Sequence, residues 1–185
     1  MLDSTPTSGA TPRSRSASRP PGRWRRWCGR WRTPMDLPSD LIDLLAEFAD
    51  EKVEYLLVGG LALALHGLPR FTKDADLWIR DEPENLGRAT RALEAFGAPR
   101  TTVESLRSAA GLDVVWMGNP PARIDMMKAI PGGDFAQAWA TREVVDVGEV
   151  AVCLVGRREL IRLKRASGRP QDLIDADRLE RSSAD

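Results

Sequence analysis

Asp74 and Asp76 stand two residues apart in the run Thr72-Lys-Asp-Ala-Asp-Leu-Trp-Ile79. On a β-strand that spacing puts both carboxylates on one face. Side by side they repel, and they are costly to shield from water. A divalent cation resolves the conflict, because hard oxygen ligands suit Mg²⁺ bound together with substrate phosphates. Two acids simply facing water is the plainer alternative, but Leu77, Trp78 and Ile79 follow at once and tie the strand to a core. A third carboxylate, Asp125, is the lone acid of the apolar stretch Ala122-Arg-Ile-Asp-Met-Met127. If its strand lies beside that of Asp74 and Asp76, three carboxylates converge and can hold two metals about 3.5–4 Å apart. One would activate an attacking hydroxyl and the other neutralise a leaving pyrophosphate. The alternative for Asp125 is an ion pair with Arg123, its same-face neighbour; the metal role is the favoured one.

Upstream, Glu54–Val58 reads as a short apolar strand that ends in Gly59-Gly60, where a helix begins. Glycine lets a phosphate approach the backbone, and a helix N-terminus offers unbonded amides and a positive dipole end. A Gly-Gly pair alone is more often just a tight turn, so its weight comes from the aspartates that follow. Arg70, Thr72 and Lys73 lie on the approach to Asp74 and can touch phosphate or an acceptor, although Arg70 can equally stay in solvent. His66, the only histidine, ends the short helix and reads as a packing residue. With one histidine and no paired cysteines, zinc chemistry is not indicated.

The elements that must position these groups follow from periodicity. Leu41, Leu44, Leu45 and Phe48 recur at helical spacing after Ser39, which reads as the N-cap. Helix is expected over 61–66, strand over 75–79, and helix over 83–96 stopped by Gly97. Strands are expected over 114–117 and 123–127 around a Gly-Asn-Pro-Pro turn. A short helix capped by Asp134 carries Phe135 and Trp139, read as core. A hairpin over 144–147 and 150–154 turns at Gly148; helices over 159–166 and 171–181 follow, the last opened by Pro170. The sum is a mixed α/β sandwich.

The run Tyr55-Leu-Leu-Val-Gly-Gly-Leu-Ala-Leu-Ala-Leu-His-Gly-Leu-Pro-Arg-Phe-Thr-Lys-Asp-Ala-Asp-Leu-Trp78 resembles the nucleotidyltransferase superfamily of DNA polymerase beta and kanamycin nucleotidyltransferase. The signature there is Gly-Gly or Gly-Ser, a spacer of about a dozen residues, then Asp-apolar-Asp; here the spacer is thirteen residues, 61–73. The likeness is strongest to small prokaryotic members such as abortive-infection type toxins, and spans roughly residues 36–181. It implies an α/β (α+β) nucleotidyltransferase fold: a small mixed sheet flanked by helices, with C-terminal helices. It places Gly59 and Gly60 at the triphosphate, and Asp74, Asp76 and Asp125 on Mg²⁺ or Mn²⁺, two ions with bound NTP. It also gives roles to Lys164, Arg169 and Asp172, which match a helical Lys followed by Arg-x-x-Asp at the next helix start. On that reading Lys164 reaches phosphate and Asp172 serves the nucleotide; an ion pair of Lys164 with Asp172 or Asp175 is an equal alternative. The activity implied is transfer of an NMP from an NTP, ATP included, to an acceptor hydroxyl on RNA, protein or a small molecule. A toxin–antitoxin role is implied too, with tRNA or a partner protein as candidate acceptor. The chain is short for a separate acceptor-recognition domain, which leaves room for a second chain.

Charge divides the sequence. Residues 1–35 hold eight Arg and one Asp, leaving 19 basic and 26 acidic residues in 36–185. The first 34 residues are rich in Ser, Pro and Arg and are expected to be a disordered basic leader ahead of a folded unit from Met35. Trp24, Trp27 and Trp31 among those Arg allow a nucleic-acid-binding tail as a competing idea. Cys28 and Cys153 make no disulfide framework. No apolar run nears the roughly 20 residues a bilayer requires, so a cytoplasmic protein without membrane partners is expected. The competing class for the whole chain is a catalytically silent nucleotide-binding or regulatory module of the same fold.

Overall fold

The computed structural model describes residues 37–68, 72, 74–119 and 123–182. The leader expected over 1–34 lies outside the described residues, as do Arg70 and Lys73.

In chain order the elements are α1 (Ser39–Asp50), β1 (Tyr55–Val58), α2 (Gly59–Leu65), β2 (Asp74–Ile79), α3 (Pro83–Phe96), α4 (Arg100–Ser108), β3 (Val114–Met117), β4 (Arg123–Met127), α5 (Phe135–Ala140), β5 (Glu143–Val147), β6 (Val150–Leu154), α6 (Arg157–Ser167) and α7 (Pro170–Arg181). The six strands form one mixed sheet in the order β3-β4-β2-β1-β6-β5. β2 runs parallel to β4 and antiparallel to β1, and β1 runs parallel to β6. Antiparallel pairs β3–β4 and β5–β6 close the two edges. Tyr55, Leu56, Leu57 and Val58 of β1 are all buried, as suits an interior strand covered on both faces.

α1 buries Leu41, Leu44, Leu45 and Phe48, one apolar stripe, and the Phe48 ring meets Tyr55 edge-on at 5.4 Å. α1 packs on α3, and α3 on α4. α4 in turn packs on β3, burying Val115 and Met117 while Val114 and Trp116 turn to the other face and stay exposed. α2, α6 and α7 form the second helical group, α2 lying against β1 and β2. Among the described residues no helix is long and apolar enough to cross a membrane.

Three local expectations change. Ser39 does not cap α1. Pro38 holds the cap position and its carbonyl accepts from the Leu41 and Ile42 amides at 3.0 and 3.1 Å, with Ser39 already inside the first turn. α4 was not expected, because Arg-Thr-Thr-Val-Glu-Ser-Leu-Arg-Ser offers only Val103 and Leu106 as apolar anchors; packing on α3 and β3 supplies what the pattern lacks. Phe135 and Trp139 are half-buried and flank the core instead of filling it. Phe135 stands edge-on to Trp78 at 5.2 Å, Trp139 stacks on Phe135 at 5.8 Å, and the Arg142 guanidinium closes the stack 3.9 Å above Trp139. The expected Asp134 cap is present, its side chain accepting from the Gln137 amide at 3.1 Å.

Candidate active site

The parallel register of β2 and β4 decides where the carboxylates go. Asp74 pairs with Arg123 and Asp76 with Asp125. Paired residues on neighbouring strands, about 4.8 Å apart, project to one face. Asp74, Asp76 and Asp125 therefore share a face and a corner of the sheet, as the sequence required for a joint site. Arg123 lies among them. Its Nη2 donates to Asp125 Oδ2 at 2.6 Å, and its Nε stands 3.3 Å from Asp74 Oδ1. That second approach is an ion pair without hydrogen-bond alignment, and among the described residues neither Asp74 Oδ1 nor Asp125 Oδ1, both buried, has a hydrogen-bond partner.

The glycine turn closes on the same point. Gly59 has φ +66°, and a Cβ built on it would fall 1.9 Å from Asp76 Oδ2. A Cβ on Gly60 would meet the Thr72 side chain at 2.9 Å. The sequence thus keeps side chains out of the turn so that Asp76 and Thr72 can crowd the start of α2. Burial pushes the Asp76 carboxyl up to about 6 from an ordinary 3.8, with the Asp125 and Asp74 charges adding to the rise; the Gly60 N–H and Lys164 oppose it. Thr72 Oγ1 donates to the Asp74 carbonyl at 3.2 Å, fixing the chain just before β2. Gly59→Ala is expected to lose about 1–2 kcal/mol from the left-handed backbone alone. The clash with Asp76 adds to that, and Asp76→Ala in the same chain should recover the clash part. Urea denaturation of both variants measures this; strict additivity would contradict the contact.

Lys164, buried on α6, donates to Asp172 Oδ1 at 2.8 Å and to Asp175 Oδ2 at 3.0 Å. Of its two expected roles, the ion pair is the one whose contacts are formed. Asp172 also accepts from Ser167 Oγ at 2.7 Å. Burial raises the Asp172 carboxyl, but the Lys164 and Ser167 hydrogen bonds with the Lys164 and Arg169 charges outweigh it and hold the group below the ordinary value. The network reaches the carboxylate corner through the field of Lys164 at Asp76. His66 Nε2 lies 2.8 Å from the Val155 carbonyl, the packing contact its sequence context suggested.

Sequence reasoning passed over Trp116, which pairs with Asp125 across β3–β4. Nothing in a lone strand tryptophan signals this; it follows only from the register. Reading along the sheet, Asp76, Asp125 and Trp116 stand in one row on one face.

The donor chemistry fits a hard divalent cation: three carboxylates, two of their oxygens buried without hydrogen bonds among the described residues. Among the described residues, however, no three acidic, histidine or cysteine side chains are gathered ready to hold an ion. The Arg123 guanidinium stands on Asp125 and Asp74 at this corner.

No protein-family model matches the sequence, and neither does any curated protein. Solved structures do. ANT(2'')-Ia in complex with adenylyl-2''-tobramycin superposes with TM-score 0.51 at 17% identity, over 78% of this chain and 87% of that one. The solution structure of the antibiotic-resistance factor ANT(2'')-Ia gives TM-score 0.52 at 17% identity, over 80% of this chain and 83% of that one.

Proposed function

We propose that this chain, which has the nucleotidyltransferase fold, moves a nucleoside monophosphate from an NTP to an acceptor hydroxyl. The observation that carries the reading is the Asp76–Asp125 register beside the Gly59 turn. Asp74, Asp76 and Asp125 would hold Mg²⁺ or Mn²⁺, which supplies charge neutralisation for the triphosphate and polarises the attacking oxygen. The glycines admit the phosphates to the backbone at the start of α2. Thr72 flanks that approach, Arg70 and Lys73, which precede Asp74 in the sequence, would touch phosphate or the acceptor, and Arg123 swings from the carboxylates to phosphate oxygens when nucleotide arrives. The acceptor oxygen forms a bond to the α-phosphorus, the bond from that phosphorus to the bridging oxygen breaks, and pyrophosphate leaves. The acceptor proton passes to Asp125 Oδ1. Lys164, held by Asp172 and Asp175, sets the local field at Asp76. On this reading residues 35–185 are the transferase unit of a cytoplasmic protein. Transfer to a small molecule has a parallel in the fold, since ANT(2'')-Ia is seen with adenylyl-2''-tobramycin; tRNA, a partner protein and a toxin–antitoxin setting are the other versions of the same reaction.

The test is incubation with each labelled NTP, Mg²⁺ and a range of acceptors, tRNA included. Wild type should transfer label and the Asp74→Ala, Asp76→Ala double variant should not; equal labelling by both would sink the proposal. Growth arrest on expression that disappears with Asp76→Ala would support the toxin version.

One observation favours a second reading. The Arg123 bridge places a cation where metal would sit, as suits a silent nucleotide-binding module. The two readings part on Arg123→Gln. If Arg123 only guards the carboxylates, the variant binds Mn²⁺ about tenfold more tightly by calorimetry without nucleotide, and wild type still binds it when nucleotide is present. Wild type that never binds Mn²⁺ would favour the silent module.

A further inference from the structure

The turn between β4 and α5 is squeezed from both sides. A Cβ on Gly133 would fall 2.8 Å from Cη2 and 3.0 Å from Cζ2 of the Trp78 ring on β2, and one on Gly132 would fall 2.8 Å from the Ala166 Cβ on α6. Carbon atoms in contact stand about 3.5–4.0 Å apart, so only glycine fits at either position. Neither neighbour can yield. Trp78 is 2% exposed, its Nε1 donates to the Lys128 carbonyl at 3.1 Å, and Phe135 stands edge-on to its ring at 5.2 Å. An alanine Cβ has no side-chain torsion with which to move aside. The turn is also fastened. The Gly133 N–H donates to the Ile130 carbonyl at 2.8 Å. Arg162 of α6 gives its Nη1 to the Gly132 carbonyl at 2.6 Å, while its Nε and Nη2 hold the buried Glu159 at 2.9 and 2.5 Å. At this level β2 and α6 are held one backbone apart.

Each side of that backbone carries part of the site. Trp78 follows Asp76 by two residues on the same face of β2, and its bond to Lys128 ties β2 to the chain three residues beyond Asp125. Arg162 and Ala166, four residues apart, meet the turn from one side of α6. Lys164 lies midway between them and projects from the opposite side of the helix, into Asp172 and Asp175. We propose that the Gly132-Gly133 turn is a spacer that sets the distance between the carboxylate strand and Lys164, and that Gly132, Gly133 and Arg162 are positioning residues for the reaction. The inference rests on the transferase reading above. A methyl group added to the turn must move α6 outward from β2, and Lys164 with it. Misplacement by about 1 Å at a point remote from the chemistry can slow an enzyme about a hundredfold. Gly133 is the telling position. Gly132 has φ +70°, whereas Gly133 is not left-handed, so Gly133→Ala adds the clash without backbone strain.

The test uses the full chain in two states. In metal-free protein, melting temperatures are measured for Gly133→Ala, Ala166→Gly and the double variant. Ala166→Gly alone should melt lower, because glycine weakens a helix. On the Gly133→Ala background it should instead raise the melting temperature, since losing the Ala166 Cβ gives the displaced turn room. Losses that simply add would overturn the spacer. In protein loaded with Mg²⁺ and a non-hydrolysable ATP analogue and doped with Mn²⁺, the paramagnetic relaxation of the Lys164 Cε protons reports their distance from the metal. Those protons are identified by their loss in Lys164→Arg. Gly133→Ala should lower the enhancement, and the double variant should restore it. An enhancement that Gly133→Ala leaves unchanged would make the turn a packing feature and overturn the proposal. Should Gly133→Ala not fold, Arg162→Lys is read in the same way. One ammonium there replaces a guanidinium with three contacts, so α6 is released from Gly132 and the enhancement should fall; a wild-type value overturns the proposal. The Gly59 and Gly60 amides report separately. If Mn²⁺ leaves them unrelaxed in wild type, the transferase reading itself has failed, and the melting cycle still decides whether the turn spaces β2 from α6.

Discussion

Asp76→Asn is expected to abolish transfer and, in the metal-free protein, to raise the melting temperature. Transfer should fall by about 10³-fold or more, because the change removes a charge that the proposed reaction uses and the fold otherwise tolerates at a cost. That cost is visible in the Asp76 carboxyl, pushed up to about 6 by burial and then by Asp125 and Asp74. The folded protein holds this proton more tightly than the unfolded chain. Its stabilising contribution is therefore complete below about pH 4, declines as the pH rises to about 6, and is absent above. With an ordinary value of 3.8, the difference is worth about 3 kcal/mol. Asparagine can still accept from the Gly60 N–H and never ionises. At pH 7.5 in chelator the variant should melt roughly 5–10 °C higher than wild type, and the gap should close between pH 6 and pH 4. A variant that melts lower at pH 7.5, or a gap independent of pH, would contradict the assignment of Asp76 as a crowded, desolvated acid.

Lys164→Met is expected to be the most destabilising change near the site. The lysine is buried and pairs with Asp172 and the fully buried Asp175. Removing it leaves two carboxylates without their shared cation, which typically costs about 3–5 kcal/mol when such a pair is buried. The loss should be largest near neutral pH. Asp172, held below the ordinary range chiefly by its Lys164 and Ser167 hydrogen bonds against the pull of burial, contributes stability above its unfolded value and loses it as the pH falls. In the variant that acid-side loss should shrink. Urea denaturation at pH 7 and pH 3 measures both; a loss below about 1 kcal/mol at pH 7 would mean that Lys164 is a surface-like charge.

Much of this site was legible in the chain. Asp74 and Asp76 needed only strand periodicity to share a face. Asp125 stood out as a lone acid in apolar surroundings, and its condition for joining them, a neighbouring strand, is met by the Asp76–Asp125 register. Arg123 was foreseeable as the same-face partner of Asp125; its further reach to Asp74 was not, because that depends on the pairing of β2 with β4. Trp116 was invisible for the same reason: its meaning comes from standing opposite Asp125 across a hairpin. In the fold, helices with a full apolar stripe such as α1 declared themselves, whereas α4, with two apolar anchors, is a helix by tertiary packing. At Ser39 residue preference pointed to a cap, but Pro38 has no N–H to be left unbonded and its carbonyl starts the helix.

The most direct test of the three-carboxylate claim is a crystal structure with Mn²⁺ and a non-hydrolysable NTP analogue, the metal located by its anomalous signal. The account predicts metal bonded to Asp74, Asp76 and Asp125, Arg123 turned away from Asp125, and the triphosphate against Gly59 and Gly60. Manganese bound elsewhere, or nucleotide bound with the Arg123–Asp125 pair intact, would contradict it.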